Sequence, residues 1–312
     1  MFSTSATAPG KIILFGEHAV VYGQPALAVP VTHVRVEATI EPARDHEPSR
    51  ILAPGVGLEA RVDDLPLSHT LSVALRGVLS ACGSAEPPRF QLTIQSTIPV
   101  AGGMGSGAAV SVAVIRAFSM FLGYSLSDEQ VNTLAYEVEK GYHGTPSGID
   151  NTVITYARPV YFVRGQPIET FTVPTPFTLV IADTGISSPT AITVGDVRKS
   201  WEAKTDRFNK LFAQVGNIVR QARQEIESGN PDQLGPLMDE NHALLKEMDV
   251  SSVELDRLVE TARGAGALGA KLSGGGRGGN MIALVKREGA AHVAEALEAA
   301  GAVRTLVTEV GA

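Results

Sequence analysis

The chain is poor in cysteine, with one residue, Cys82, in 312. A single thiol cannot build an internal disulfide framework, nor a cysteine-rich zinc or iron–sulfur site. Cys82 therefore reads as a small buried apolar residue. Positive charge is also in deficit. Lys and Arg number 26 against 33 Asp and Glu, a formal net charge of −7, which argues against a nucleic-acid surface. No apolar run reaches the ~18 residues needed to span a bilayer. The longest candidate, 108–122, is interrupted by Ser111, Arg116 and Ser119. The first ten residues lack the basic-then-apolar layout of a signal peptide, and the expectation is a soluble cytoplasmic protein. The seven histidines show no paired metal-binding spacing, which disfavours a metallohydrolase. There is no internal repeat and no low-complexity tract.

What is there is an ordinary globular composition, 44% hydrophobic and 19% charged, in a chain long enough for two packed lobes. The first half reads mostly as strand, at 12–15, 26–29, 34–40 and 90–94. Two helices interrupt it. One, 108–122, is apolar on nearly all sides and so is buried between layers, with Gly123 as its stop. The other opens on Ser127-Asp128-Glu129-Gln130, a capping-box pattern, and is expected to end near Lys140 at Gly141. Strands follow at 160–163, 168–172 and 178–182. From 201 to 228 the apolar residues Phe208, Leu211, Phe212, Val215, Ile218, Val219, Ala222 and Ile226 recur at three- and four-residue steps, predicting one long helix. Asn230-Pro231 opens another. Ser251 with Glu254 reads as a capping box for a third, ending near Gly264. The tail alternates: strand 267–272, a glycine loop, strand 281–285, helix 290–300, strand 303–307. Strand, helices, strand, strand, helix, strand is a split-βαβ order. The lobe boundary is expected near 174–176, giving lobes 1–175 and 176–312.

Four segments carry chemistry. Pro99-Val100-Ala101-Gly102-Gly103-Met104-Gly105-Ser106-Gly107-Ala108-Ala109 joins a strand to the buried helix. Its glycines let backbone approach a phosphate chain, and the helix start supplies free N–H groups to anionic oxygens. It is neither a Walker A loop, since no Gly-Lys-Ser/Thr follows, nor a Rossmann fingerprint. Alone it is equally compatible with a structural turn. The second segment is Lys11-Ile12-Ile13-Leu14-Phe15-Gly16-Glu17-His18-Ala19-Val20-Val21-Tyr22-Gly23, three polar functions around one short strand. A lysine there can hold phosphate or lower the pKa of a substrate hydroxyl. In the third, Glu139 and Asp150 stand at the two ends of the loop Gly141-Tyr142-His143-Gly144-Thr145-Pro146-Ser147-Gly148. One carboxylate can serve magnesium and the other orient or accept a proton. The fourth, Lys271-Leu272-Ser273-Gly274-Gly275-Gly276-Arg277-Gly278-Gly279-Asn280, concentrates glycine beyond what a mere connection needs, which favours a ligand-facing loop.

In this order the four segments resemble the motifs of the GHMP small-molecule kinases. The resemblance runs from about residue 9 to 285, and its branch is the one acting on mevalonate. It implies an α+β fold of two lobes, the first like ribosomal protein S5 domain 2 and the second ferredoxin-like. It implies transfer of the γ-phosphate of ATP to the 5-hydroxyl of mevalonate, with ATP and Mg2+ required and a homodimer as the assembly. Asp150 becomes the catalytic carboxylate, and Lys11 contacts the reacting hydroxyl and phosphate. Ser106 and Glu139 serve the metal. Pro99, Gly102, Gly103, Met104, Gly105, Ser106, Gly107 and Ala108 wrap the triphosphate, and Gly274, Gly275 and Gly276 close over it. Glu17, His18, His143 and Thr190 line the acceptor site. Two departures stand out. Gly107 replaces a serine that commonly serves the metal, and Arg277 and Asn280 stand where small residues are usual. Arg277 either touches a phosphate or points to solvent, the second being favoured. The competing readings are a sibling kinase acting on phosphomevalonate or another alcohol, and a non-catalytic GHMP-like binding protein.

Overall fold

The computed structural model describes residues 2–44, 46–84, 86–99, 103–143, 146–167, 169–187 and 190–311, with backbone alone at 142 and 143. In chain order the elements are β1 (Thr4–Phe15), β2 (Ala26–Pro42), β3 (Arg50–Ala53), β4 (Leu58–Arg61), α1 (Thr70–Ala81), β5 (Phe90–Ser96), α2 (Ser106–Phe121), α3 (Asp128–His143) and α4 (Ile149–Tyr156). They continue with β6 (Val160–Phe162), β7 (Glu169–Thr170), β8 (Phe177–Asp183), α5 (Thr190–Ala203), α6 (Thr205–Glu227), α7 (Leu234–Glu247), α8 (Val253–Gly264), β9 (Gly269–Ser273), β10 (Asn280–Val285), α9 (Ala290–Ala299) and β11 (Arg304–Val310). Among the described residues two compact units separate, and they do not follow chain order: 2–10, 32–99 and 104–157 form one, 11–31, 103 and 158–311 the other.

In the first unit β5 pairs antiparallel with the second half of β2 and parallel with β3, which pairs antiparallel with β4. Helices α1 to α4 pack on one another. As its composition requires, α2 is the central one, with 11 of its 16 residues buried. Phe118, fully buried, meets Phe90 of β5 with ring centroids 5.1 Å apart. Burying each such large apolar side chain contributes roughly 1.5–3 kcal/mol. The capping box that opens α3 is formed: Ser127 N–H donates to Gln130 Oε1 at 2.9 Å, and Gln130 N–H to Ser127 Oγ at 3.3 Å.

The second unit contains a four-stranded antiparallel sheet in the order β11-β8-β10-β9. This is the order that a split βαβ repeat produces, as the sequence led us to expect. In the same unit the start of β2 pairs with β6, and β6 with β7.

Several expectations are corrected. The strands 26–29 and 34–40 are one, β2. Pro30 lies outside two of its ladders, that with β6 over Ala26 to Ala28 and that with β5 over Val36 to Pro42, and β1 pairs with β2 as well. The single helix over 201–228 is two: α5 ends at Ala203, and Lys204, with φ −139° and ψ 52°, breaks the path before α6. The cap of α8 is Ser252, which accepts from Leu255 N–H at 3.3 Å, while Ser251 Oγ donates to Asp256 at 2.6 Å. Helix α3 runs through Gly141 to His143.

Candidate active site

The first unit contributes two helix starts and two carboxylates. Helix α2 begins at Ser106 from Gly105, whose φ of 72° is left-handed and suits glycine. Helix α4 begins at Ile149 from Gly148, again left-handed at φ 88°. Neither N-cap supplies a side-chain hydrogen bond. Most first-turn N–H groups of an uncapped helix are free to bind an anion. At α4 one is taken, since Ile149 N–H donates to Ser147 Oγ at 3.3 Å. Pro99 is half-buried on the approach to the loop, Met104 and Ala108 are buried, and Gly107 is exposed. A side chain at Gly10 would press on Val34 at 3.1 Å and on the Met104 carbonyl at 3.5 Å, so backbone passes closely here.

Glu139, on α3, is 8% exposed and close to the start of α2. A Cβ at Gly107 would lie 3.7 Å from Glu139 Oε1, so a carboxylate faces the helix start where the positive end of the peptide dipoles lies. Asp150 occupies the first turn of α4, half-buried. The turn behind it is fixed by buried Asn151, whose Nδ2 donates to Asn132 Oδ1 at 2.6 Å, and by Thr152 Oγ1, which donates to Gly148 O at 2.6 Å. Among the described residues no three His, Cys, Asp or Glu side chains cluster as a metal cage. One carboxylate and a hydroxyl beside a helix start suit magnesium, which keeps waters and leans on substrate phosphates. The residues present therefore fit that ion in its usual nucleotide-bound form.

The second unit contributes side chains instead. Lys11 lies buried in β1. The turn after β1 places Glu17 and His18, 1% and 5% exposed, against β9 and the glycine loop beyond it. Lys271 Nζ, fully buried, donates to Glu17 Oε1 and to Leu272 O, the latter at 2.7 Å. Burial pulls the Lys271 ammonium below its usual range against the opposing pull of Glu17. His18 Nε2 donates to Gly275 O at 3.0 Å, the tautomer being set by a partner that can only accept. Burial lowers the His18 pKa to about 4; the Gly275 bond opposes this and the Arg277 charge adds to it. His18 is thus neutral at pH 7. Its Nδ1 and Glu17 Oε2 are buried acceptors with no hydrogen-bond partner among the described residues.

The second glycine loop follows β9. Gly274 has φ 91°; a Cβ at Gly275 would meet Thr190 Oγ1 at 2.9 Å, and one at Gly276 would meet Val250 O at 1.9 Å. Thr190, exposed at the start of α5, is therefore brought to this loop as expected. Arg277 is a correction: it does not simply point to solvent. Its Nη1 pairs with Asp196 at 2.7 Å, its Nε donates to Asp249 O at 3.1 Å, and its N–H donates to Val250 O at 2.8 Å. Gly103 comes near the loop's far end, since a Cβ there would lie 3.7 Å from Asn280 Nδ2. Tyr22, closing the 11–23 segment, stacks on Phe212 at 4.1 Å and meets Trp201 at 5.1 Å.

Gly102 and the side chain of His143 lie outside the described residues. The structure gathers Lys11, Glu17, His18, Gly103, Thr190 and Gly274 to Gly276 in one unit, and Pro99, Met104 to Ala108, Glu139 and Asp150 in the other. Sequence reasoning assigned no role to Lys271 or Ser273. The available signal was their alternation on a strand that enters a glycine loop.

Comparison with known proteins gives the family. Residues 69–158 fit the GHMP kinases N-terminal domain and residues 222–303 the GHMP kinases C-terminal domain. The chain is 36% identical to a mevalonate kinase of Thermococcus sibiricus, covering 98% of this chain and 95% of that protein. It is 34% identical to one of Pyrococcus furiosus over the same shares. Among solved structures, Leishmania (L. major) mevalonate kinase in complex with R-mevalonate superposes with a TM-score of 0.84 at 32% identity, covering 98% of this chain and 95% of that one. The chain therefore belongs to the GHMP kinases and, within them, to the mevalonate kinase family.

Proposed function

We propose that the protein transfers the γ-phosphate of ATP to the 5-hydroxyl of mevalonate, an early step toward isoprenoid lipids. The observation that carries this reading is full-length likeness to mevalonate kinases, one of them solved with R-mevalonate bound. Asp150 takes or orients the proton of the primary hydroxyl, and Lys11 contacts that hydroxyl and the phosphoryl group in transit. The loop from Pro99 through Gly102 to Ala108 wraps the triphosphate, with Gly274, Gly275 and Gly276 closing over it. Glu17, His18, His143 and Thr190 line the acceptor site. Ser106 and Glu139 hold magnesium, which neutralises phosphate charge. Positioning and charge neutralisation suffice for such a transfer, so it proceeds directly, without a covalent enzyme intermediate. In chain terms we assign the phosphate loop and the Lys11/Asp150 pair to an N-terminal lobe, 1–175, and the second glycine loop to a C-terminal lobe, 176–312. We further propose a cytoplasmic homodimer. No helix among the described residues is long and apolar enough to cross a membrane.

A phosphorylated acceptor would call for spare arginines. Arg277 is tied to Asp196 and Arg198 to Glu202 at 3.1 Å, while Arg164 is exposed. An ATP-consumption assay against mevalonate, phosphomevalonate and galactose tests the reading. Turnover with mevalonate is expected to dominate; none with mevalonate would sink it.

A further inference from the structure

Lys271 is fully buried, yet the transfer chemistry assigns it no task. The same holds for Ser273. The two stand two residues apart on β9 and so project to one face of the strand. Both reach the segment that ends β1: Lys271 Nζ donates to Glu17 Oε1, and Ser273 Oγ donates to Ile13 O at 2.7 Å. The next alternate position is Gly275, which has no side chain, and there His18 supplies the bond to its carbonyl. Three successive alternate residues are thus stitched to the first motif.

Stability alone does not account for the ion pair. A buried pair adds little over apolar residues of equal size, whereas removing one partner strands the other's charge. What the pair fixes is geometry. Nζ is held in place by Leu272 O as well, so it determines which oxygen of Glu17 is engaged and leaves Oε2 as a buried acceptor. The anchor is itself held by its neighbours. Thr190 and Val250 hem in Gly275 and Gly276, and Arg277 is tied to Asp196 and Asp249. We infer that Lys271 is a positioning residue for the acceptor: acting through Glu17, it holds the turn 16–18 to the second glycine loop so that Glu17 Oε2 and His18 Nδ1 face the substrate's hydroxyl groups. The identity of that acceptor rests on the function proposed above; the coupling of Lys271 to the turn does not. Titratable and charged groups near the pair include His18 and, around β9, His242 with Asp256 and Lys246, and Arg263 with Asp239 beside Ala270, while Arg277 acts on His18 through its charge.

The test compares wild type, Lys271→Met, Lys271→Arg and the double variant Glu17→Gln/Lys271→Met in steady-state kinetics and in thermal unfolding across pH. Lys271→Met is expected to raise KM for mevalonate about tenfold or more and to leave KM for ATP within about twofold, with Lys271→Arg recovering most of the loss. In unfolding, Lys271→Met strands a buried carboxylate that must take up a proton to fold. Its stability relative to wild type should then fall as pH rises from about 5 to 8, and the double variant should lack that slope. The double variant also covers the case in which Lys271→Met does not fold, and its KM for mevalonate should remain raised. Equal changes in both KM values, or an unchanged KM for mevalonate, would overturn the inference. If wild type itself does not turn over mevalonate, the functional reading fails. The unfolding comparison then decides the coupling: a slope confined to Lys271→Met upholds it, and no difference in slope overturns it.

Discussion

The two compact units hold their candidate residues by different means. In the first, backbone does most of the holding. Helices α2 and α4 both start from a left-handed glycine without a side-chain cap, whereas Ser252 caps α8 and Ser127 opens α3. A serine cap occupies a first-turn N–H that a glycine start leaves open. In the second unit, buried side chains do the holding, through Lys271–Glu17, Ser273–Ile13 and His18–Gly275. A backbone site is vulnerable mainly at its glycines and at its few catalytic groups. A side-chain site is vulnerable to charge, and therefore to pH.

The largest effect should come from removing the carboxylate proposed above to take or orient the substrate's proton. Asp150→Asn is expected to fold and to bind ATP, while kcat falls about 10²- to 10⁴-fold. Nucleotide titration beside a turnover assay checks both halves, and near-wild-type turnover would strip Asp150 of its role. Next come the glycines. Gly276→Ala drives a methyl group into Val250 O at 1.9 Å from a left-handed backbone, and should cost roughly 2–4 kcal/mol, as a backbone conformation and its packing are both violated. Gly105→Ala, at φ 72°, meets the left-handed penalty, about 1–2 kcal/mol. Urea unfolding of the two variants compares them, and equal losses would erase the contrast between the loops.

Acid provides the third comparison. Burial holds His18 and His242 at pKa values of about 4; for His242 the nearby Asp256 charge opposes the shift. The unfolded chain takes up these protons first, near the ordinary histidine value. Stability is therefore full above about pH 6.5 and falls as pH drops toward 4, by up to about 1.4 kcal/mol per pH unit for each histidine. His18→Gln should remove about half of that slope; an unchanged slope would show that His18 is not held neutral. The smallest effect is expected at Gly107→Ser. The new hydroxyl would stand beside Glu139, 3.7 Å from Cβ, and one hydrogen bond contributes about 1 kcal/mol, so the magnesium concentration at half-maximal rate should drop by less than about tenfold. A rise instead would mean that glycine is the better residue there.

Much of this was legible in the residues, because short-range physics writes itself into spacing. The apolar stretch behind Gly107 predicted a buried helix, and Ser127 with Gln130 predicted the cap that formed. The order of strands and helices from residue 178 onward predicted the split βαβ sheet. What escaped depended on partners distant in sequence. Helix α4, carrying Asp150, has the β-branched sequence IDNTVITY, and tertiary contacts such as Asn151–Asn132 override that preference. Helix α1 was overlooked although Leu71, Ala74, Leu75 and Val78 repeat at helical spacing. Strands β3 and β4 are four residues each, too short to stand out. Of the site, the residue types were readable. The pairing of Lys271 with Glu17 was not, since no local rule links positions so far apart.

The contact between Tyr22 and Trp201 has a practical consequence. The chain contains one tryptophan, and its ring lies 5.1 Å from the tyrosine that ends the first motif, with its indole N–H donating to Asn209 Oδ1 at 2.9 Å. Every photon the protein emits under indole excitation originates beside that motif. The molecule thus carries its own optical probe, and a ligand that shifts the segment from Lys11 to Gly23 will register in the emission of a single, unlabelled residue.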